Sequence, residues 1–313
     1  MTAPNRRPEN VSGRHRPGSC ETGTMTTGPT DAAPRERFEA DGYLVLEDFF
    51  PSDEAATLIA RADELVAAFK PDEVTRSIFS TNEQTRTSDD YFLASGDRIS
   101  FFFEPEAFDS NGNLQVPLDR AINKFGHAQH DLEPVFDDFS RHQRLADLAG
   151  RLGVGGHALV QSMLIFKQPG IGGEVSSHTD HTFLWTEPRS VVGFWFALED
   201  ATLDNGCLWA LPGGHRRKPA RRFRRAPGGG TTMEVLGDEP PAGGAEAGFV
   251  PLEVRSGTLI VLDGLLPHYS LANRSQRRRA AYTLHAIDPT AHYPSDNWLQ
   301  RNDLPLRGFR DRR

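Results

Sequence analysis

The chain has 313 residues, of which 37% are hydrophobic and 25% charged, and 35 Lys and Arg against 43 Asp and Glu give a formal net charge of −8. This length allows a sizeable buried core, and the acidic balance argues against a dedicated nucleic-acid-binding protein and against attachment to anionic lipid. Because no apolar run approaches the roughly 20 residues of a membrane span, we expect neither a nucleic-acid nor a membrane partner.

The first segment has a different composition from the rest of the chain. Residues 1–34 are rich in Pro, Gly, Thr, Arg and Asn and carry almost no bulky apolar side chains. They can bury too little surface to offset the entropy of ordering, so we predict a disordered tail, with Met25 as an alternative start. The tail shows no secretory signal, and Cys20 and Cys207 form no disulfide framework or CxxC metal site. We therefore expect a cytoplasmic protein with one domain over 35–313.

Helical and extended patterns then follow each other up to residue 152. Residues 42–46 predict a strand, and Ser52 is an N-cap candidate for an amphipathic helix over 52–69. The polar residues 71–90 predict a loop. Phe101–Phe103 predicts a strand, and apolar spacing predicts a helical stretch over 132–152.

From residue 157 onward, short apolar runs alternate with Gly, Pro and Asp turns. This pattern is typical of an all-β sandwich or jelly roll, so we expect a mainly β protein with flanking helices. The stretch 226–247 predicts a flexible insertion, because its glycines lack the Lys and helix of a phosphate-binding loop. The predicted strands are His157–Phe166, Val191–Leu198, Cys207–Leu211, Thr258–Asp263 and Ala280–Ile287.

One short motif could hold a metal ion. His178 and Asp180 are two positions apart, so in a strand their side chains share a face, and His268 follows a strong apolar strand. Two histidines and a carboxylate on one side of an octahedron are the ligand set of non-haem Fe(II) oxygenases. Isolated histidines are also often hydrogen-bonded or surface residues, so the pattern alone leaves both interpretations open.

Basic residues offer further candidates. One of Arg277–Arg279 could hold a carboxylate in a bidentate fork, or all three could belong to a solvated turn. The arginine-rich segment 215–225 could receive an anionic substrate group, but an exposed loop is the favoured interpretation. His127 and His130 lie in the N-terminal half, away from the strands of the His–Asp motif, and we assign them no metal role.

Longer motifs resemble the phytanoyl-CoA dioxygenase family, and most closely its animal domain-containing proteins. The resemblance covers about 35–300 and runs in order along the chain. The matching stretches include Asp41–Leu46, Asp90–Asp97, Ile122–His127, Gln161–Met163, Phe166–Pro169, Gly173–Val175, His178–Asp180, Thr186–Pro188, Glu199–Leu203, Asn205–Trp209 and Asn297–Gln300.

The resemblance implies a double-stranded β-helix, a jelly-roll or cupin-like core, that uses Fe(II), 2-oxoglutarate and O2. It assigns the iron ligands to His178, Asp180 and His268, and the anchor of the distal 2-oxoglutarate carboxylate to Arg279. It also places three further residues in the cosubstrate pocket, for which a surface lysine and two core side chains are the alternatives. These residues are Lys124, Met163 and Trp195.

The chain departs from the family pattern at three points. Pro267 precedes the distal histidine, Gly214 stands where relatives commonly have Ser, and His181 replaces a small residue. None of these removes a metal ligand, and we expect His181 to face away from the metal. Because Asp180 keeps the carboxylate that halogenating relatives lack, the resemblance implies oxygenation.

The expected activity is hydroxylation of a C–H bond in a small-molecule substrate, with release of succinate and CO2. The family name suggests an acyl-CoA or another carboxylate-bearing metabolite, but fold-level analogy does not transfer substrate. Two other classes remain open at this point: a non-oxygenating metal protein such as a zinc hydrolase or isomerase, and a non-catalytic 2-oxoglutarate sensor. The oligomeric state is open as well.

Overall fold

Antiparallel β-sheets organise the chain in the computed structural model, which describes residues 33–73, 76–78 and 90–311. Most of the predicted tail and most of the predicted loop 71–90 lie outside the described residues. Within those residues, Ala33 and Pro34 already belong to the first helix. The predicted start of the domain at residue 35 stays a prediction.

Fourteen strands were found in the described residues, and those predicted in the second half of the chain are confirmed with boundaries shifted by a residue or two. They are β1 (Tyr43–Leu46), β2 (Ile99–Phe103), β3 (Ile122–His127), β4 (Ala158–Lys167), β5 (Val175–His178), β6 (Val192–Ala197), β7 (Leu208–Ala210), β8 (Arg221–Arg225), β9 (Thr231–Val235), β10 (Val250–Leu252), β11 (Leu259–Asp263), β12 (His268–Ser270), β13 (Arg279–Ile287) and β14 (Arg307–Gly308).

The strands form two larger sheets and one hairpin. The large sheet has the order β1-β11-β6-β13-β4-β3-β2, with β14 on β4, and the small sheet has the order β10-β7-β12-β5. Strands β8 and β9 pair with each other. Apart from the sequential strands β2, β3 and β4, neighbours in both sheets come from distant parts of the chain, as in a jelly roll, so the predicted fold class is confirmed.

Seven α-helices in the described residues accompany the sheets. They are α1 (Ala33–Asp41), α2 (Ser52–Ala68), α3 (Asp90–Leu93), α4 (Leu118–Ala121), α5 (Gln129–Leu132), α6 (Pro134–Ser140) and α7 (Gln143–Arg151). None of the helices in these ranges combines the length and the apolar character that crossing a membrane requires.

Two helix predictions need correction. Ser52 is the first residue of α2 and not its cap, because Pro51 holds that position and offers no side-chain cap. The stretch predicted as one helix over 132–152 is broken twice. Glu133 caps α6 by accepting hydrogen bonds from the backbone of Val135 and Phe136, Pro134 follows at the first helical position, and the chain turns again before α7.

Strand β13 shows how the core divides. Alternate side chains point to opposite faces of a strand. Tyr282 and Leu284 pack into the larger hydrophobic core with Phe136 and Phe139 of α6, whereas Ala281 faces a second core shared with the small sheet. The helices therefore cover one face of the large sheet, and the other face is left to line the space between the sheets.

A buried ion cluster lies beside β4 and β14. The carboxylate of Asp131 is fully buried and pairs with Arg141, Arg301 and Arg307, with the imidazole of His130 adjacent. Burial raises the pKa of Asp131, but His130 and Arg301 outweigh it and hold the pKa well below its ordinary value. The cluster ties the C-terminal residues to α5 and α6.

Candidate active site

A cavity of about 180 Å³ opens between the large and small sheets. Its walls come from β3, β4, β6 and β13 on one side and from β5 and β12 on the other. All seven residues to which the resemblance assigns a role line it. They are Lys124, Met163, His178, Asp180, Trp195, His268 and Arg279.

Two histidines and one aspartate meet at the cavity wall. His178 ends β5 and His268 begins β12, and the two residues are directly opposite each other in the small sheet. The Nε2 atoms of His178 and His268 lie 3.9 and 3.7 Å from Oδ1 of Asp180, and the three ligand atoms all fall within 4.8 Å of one another. Strand β5 ends before Asp180, which begins a 3-10 turn, so the expectation that both residues share a strand face is wrong although they do converge.

Backbone carbonyls set the tautomer of both imidazoles. Nδ1 of His178 lies 2.8 Å from the carbonyl oxygen of Ser176, and Nδ1 of His268 lies 3.0 Å from that of Leu266. A carbonyl can only accept, so each Nδ1 donates and each Nε2 carries the lone pair that faces Asp180. Two imidazole lone pairs and a carboxylate fit a divalent metal ion, and the backbone contacts hold the rings as the outer shell of a metal site does.

The second oxygen of Asp180 has a partner that the sequence did not reveal. Oδ2 lies 3.3 Å from Nε2 of His285, a residue of β13 that also lines the cavity. Burial raises the pKa of Asp180, but the interaction with His285, which includes a hydrogen bond, is foremost among the effects that bring the pKa below its usual value. The carboxylate is therefore ionised and held from both sides.

Gly193 makes room for this pair. It lies opposite His285 in the pairing of β6 with β13. A Cβ at this position would be 2.9 Å from Oδ2 of Asp180 and 3.6 Å from the His285 ring. No larger residue fits here without moving the carboxylate.

Arg279 lies at the opposite end of the cavity. Its guanidinium is buried, donates to the carbonyl of Gly206 at 3.2 Å and stacks 5.5 Å from the ring centre of Trp195. No carboxylate of the described residues pairs with it, and its Nε has no hydrogen-bond acceptor there. Burial lowers the pKa of Arg279 to about 10, so it remains a cation at neutral pH. A buried guanidinium without an anion is a binding site for a carboxylate.

The neighbouring arginine behaves differently. Arg278, just before β13, forms ion pairs with Glu199 and Asp63. Arg277 is exposed, so Arg279 is the one of the three consecutive arginines that is buried in the cavity wall.

Strand register orders the cavity from one end to the other. Arg279, Ala281, Thr283 and His285 alternate along the inner face of β13, and at about 3.3 Å per residue Arg279 and His285 are roughly 20 Å apart along the strand. Thr283 is level with Met163 on one side and Trp195 on the other. These three residues thus lie between the guanidinium and the metal-ligand cluster.

Two residues of β3 complete this wall. Lys124 is level with Ile165 of β4, and its ammonium group lies 5.7 Å from the ring centre of Phe102. His127 also lines the cavity, so the expectation that it lies away from the metal-binding strands is wrong. It is not among the three clustered ligands. His130, by contrast, belongs to the buried cluster around Asp131.

Part of the arginine-rich segment, Arg221–Arg225, is a strand of a folded hairpin, whereas residues 216–218 are exposed, as the favoured interpretation had it. Arg222 and Arg224 pair with Asp296, and Arg225 donates to the backbone carbonyls of Trp298 and Leu93. The stretch 226–247, predicted to be a flexible insertion, contains β9 of the same hairpin. The hairpin places Phe223 on the cavity wall.

His181 lies away from the metal-ligand cluster, as expected. It is buried, its ring centre lies 4.4 Å from that of Trp185, and it lines a separate pocket with Arg189 and Asp263.

Comparison with known proteins identifies the family. Residues 38–281 match the family described as phytanoyl-CoA dioxygenase (PhyH). The chain is 44% identical over 285 residues to a phytanoyl-CoA dioxygenase of Arabidopsis thaliana, covering 91% of this chain and 96% of that protein. It is 46% identical over 279 residues to phytanoyl-CoA dioxygenase domain-containing protein 1 of Mus musculus, covering 87% and 95%. The chain belongs to the phytanoyl-CoA dioxygenase family.

Solved structures agree on the fold. The crystal structure of EctD from S. alaskensis with 2-oxoglutarate and 5-hydroxyectoine matches with a TM-score of 0.61 and 25% identity, covering 93% of this chain and 90% of that one. The carbocyclase SnoK from nogalamycin biosynthesis, described as non-haem and alpha-ketoglutarate-dependent, matches with a TM-score of 0.57 and 18% identity, covering 86% and 90%.

Proposed function

We propose that this member of the phytanoyl-CoA dioxygenase family binds Fe(II) and 2-oxoglutarate, reacts with O2, and hydroxylates a C–H bond of a small-molecule substrate. One observation carries the proposal. A cluster of two imidazole lone pairs and a carboxylate shares a cavity with a buried guanidinium that has no anionic partner among the described residues. This donor set suits Fe(II), and the guanidinium suits the distal carboxylate of a dicarboxylic cosubstrate.

The residues divide the work as follows. His178, Asp180 and His268 hold the metal on one side and leave its other positions open. Arg279 holds the distal carboxylate of 2-oxoglutarate, while Trp195, stacked on that guanidinium, helps to exclude water from it. When bound, Fe(II) supplies the redox chemistry that couples decarboxylation of 2-oxoglutarate to succinate and CO2 with oxidation of the substrate by O2.

Two alternatives explain less of the geometry. A zinc hydrolase or isomerase would use the three ligands but would leave the buried guanidinium of Arg279 without a function. A non-catalytic sensor would use both ends of the cavity but would form no product. The similarity to 2-oxoglutarate-dependent enzymes also favours the oxygenase.

Anaerobic absorption spectroscopy tests the proposal. Fe(II) and then 2-oxoglutarate are added to the metal-free protein, and we expect a visible charge-transfer band from the chelated cosubstrate. Arg279→Ala should weaken 2-oxoglutarate binding roughly 10- to 100-fold, the value of a charged hydrogen-bonded pair. Arg278→Ala is the matched control and should leave the band unchanged, because that side chain pairs outside the cavity.

Succinate release with O2 then separates the oxygenase from a sensor. A folded, iron-loaded protein without the band would refute the proposal and favour the zinc enzyme. A band without product formation across a broad substrate panel would favour the sensor.

A further inference from the structure

The end of the cavity farthest from Arg279 contains polar side chains that the proposed metal and cosubstrate do not use. His285 of β13 and Gln161 of β4 are directly opposite each other, and His127 of β3 pairs with the residue next to Gln161. All three residues are at least nine-tenths buried and line the cavity. Within the described residues, Nδ1 of His285 and Nε2 of His127 have no hydrogen-bond partner. Buried polar atoms of this kind are normally satisfied, so these atoms are placed to bind a polar group of a ligand.

The hydroxyl of Ser95 determines what His127 can offer. Ser95 donates its single proton to the carbonyl oxygen of Phe92 at 2.6 Å. Its oxygen must therefore accept from Nδ1 of His127, 2.8 Å away. Nε2 of the neutral ring is then a hydrogen-bond acceptor. Burial, with a smaller effect of Lys124, lowers the pKa of His127 well below its ordinary value, which keeps the ring neutral.

His285 is held by the metal-ligand cluster. Its Nε2 lies 3.3 Å from Oδ2 of Asp180 and, because a carboxylate can only accept, donates to it. Trp298 adds a group complementary to His127, because its indole Nε1 is a buried donor with no partner among the described residues and the residue lines the same cavity. The acceptor of His127 and the donor of Trp298 match a hydroxyl group, which donates one hydrogen bond and can accept others.

The described side chains around this end are mainly aromatic. Trp298 stacks on Phe92 at 4.2 Å, and Phe183 and Phe223 lie 5.6 Å apart on the same cavity wall. Of the cations in the described lining, Arg279 is six residues along β13 from His285, and Lys124 is level with Ile165, four residues along β4 from Gln161. A carboxylate at this end would meet the lone pair of His127 and the Asp180 carboxylate beside His285, which disfavours an anionic group there.

We propose that His127, Gln161 and His285 form a substrate subsite for the hydroxyl group of an uncharged molecule whose apolar skeleton lies against Trp298, Phe183 and Phe223. This inference rests on the proposed function for its identification as the substrate end. It names an alcohol with a hydrocarbon ring or chain as the substrate class and excludes a substrate carboxylate bound at this end of the cavity.

Three probes with one skeleton test the inference. Cyclohexylmethanol offers a donor and an acceptor, its methyl ether is a neutral acceptor, and cyclohexanecarboxylate is an anionic acceptor. Each is titrated anaerobically into protein loaded with Fe(II) and 2-oxoglutarate, with tryptophan fluorescence as the readout, since Trp195 and Trp298 line the cavity. We expect the alcohol to bind roughly tenfold more tightly than either other probe, because only the alcohol can donate a hydrogen bond to Nε2 of His127.

Two variants identify the residue responsible. His127→Phe should reduce the preference for alcohol over ether to within about threefold. Ser95→Ala leaves the imidazole in place but removes the acceptor that fixes its tautomer, so the preference should fall there too. A side chain that only shapes the cavity would not respond to Ser95→Ala, and this variant also serves if His127→Phe does not fold.

The outcomes separate the two proposals. If the charge-transfer band forms but the three probes bind equally, none of them binds, or the carboxylate is preferred, the proposed subsite is overturned and the oxygenase proposal stands. Retention of the alcohol preference in both variants also overturns the proposed subsite. Absence of the band overturns the proposed function itself.

Discussion

Substitution of Gly193 by alanine tests whether the Asp180 carboxylate is held in a metal-binding position. The added methyl group would lie 2.9 Å from Oδ2 of Asp180, whereas carbon and oxygen atoms in contact are normally at least 3.3 Å apart. The carboxylate or the strand must move by roughly 0.5 Å. Metal ligands tolerate displacements of only about 0.2 Å, and disturbing the residues that orient a ligand typically lowers metal affinity 10- to 100-fold. We expect that loss in Gly193→Ala.

The cost to folding should be much smaller than the effect on the metal. Overpacking a core by one methyl group costs about 1–3 kcal/mol, so the variant should remain folded. Fe(II) affinity is measured by anaerobic titration of the charge-transfer band, and stability by urea unfolding. Gly156→Ala is the control, because Gly156 is exposed and no atom lies within 4 Å of its added methyl group. Wild-type Fe(II) affinity in a folded Gly193→Ala protein would refute the assignment of Asp180 as a constrained ligand.

Three further predictions concern stability and reactivity. Asp131→Asn should lower the free energy of unfolding by about 3–5 kcal/mol in urea titrations, because it leaves buried arginines unpaired. Asp296→Asn should lower it by less than about 1 kcal/mol, because Asp296 is 38% exposed. Burial lowers the pKa of His130 to about 4, so between pH 6.5 and 4 the unfolded chain binds a proton that the folded chain does not. As the pH falls through that window, the free energy of unfolding should fall by up to about 1.4 kcal/mol per pH unit. His130→Gln should show a smaller slope than wild type. Burial raises the pKa of the Cys207 thiol to about 11, so a Cys20→Ser protein should show no thiol reactive toward a disulfide reagent at pH 8 until it is unfolded, and a fast-reacting native thiol would contradict this.

Sequence patterns predicted most of the sheet, because β4, β6, β11 and β13 are apolar runs bounded by turns. They failed where local chemistry interrupts a pattern. The spacing over 132–152 is helical throughout, but the Glu133 cap and Pro134 start a new helix within it. The segment 221–235 is too polar to predict as strands, yet the ion pairs of Arg222 and Arg224 with Asp296 support a hairpin there.

The candidate site was also predicted only in part from the sequence. The resemblance to the family assigned seven residues, and the structure brings all of them to one cavity. His285 and Gly193 lie in no matching stretch, and Ser95 lies in one without an assigned role, because each acts on a residue that is distant in sequence and adjacent only in the fold. A histidine within an otherwise apolar strand, as at His285, was the one available signal. The partner of such a residue depends on strand register, which a single sequence does not specify.

The pairing of β4, β13 and β6 fixes where each of their side chains lies along the cavity between the sheets. Distance along the cavity is counted in residues of β13, from Arg279 at one end to His285 at the other. One inserted residue in that interval would turn every following side chain to the opposite face and move the cavity-lining His285 to the core side of the strand. The number of residues between Arg279 and His285 therefore determines which chemical groups face the cavity, as much as the identity of any single side chain does.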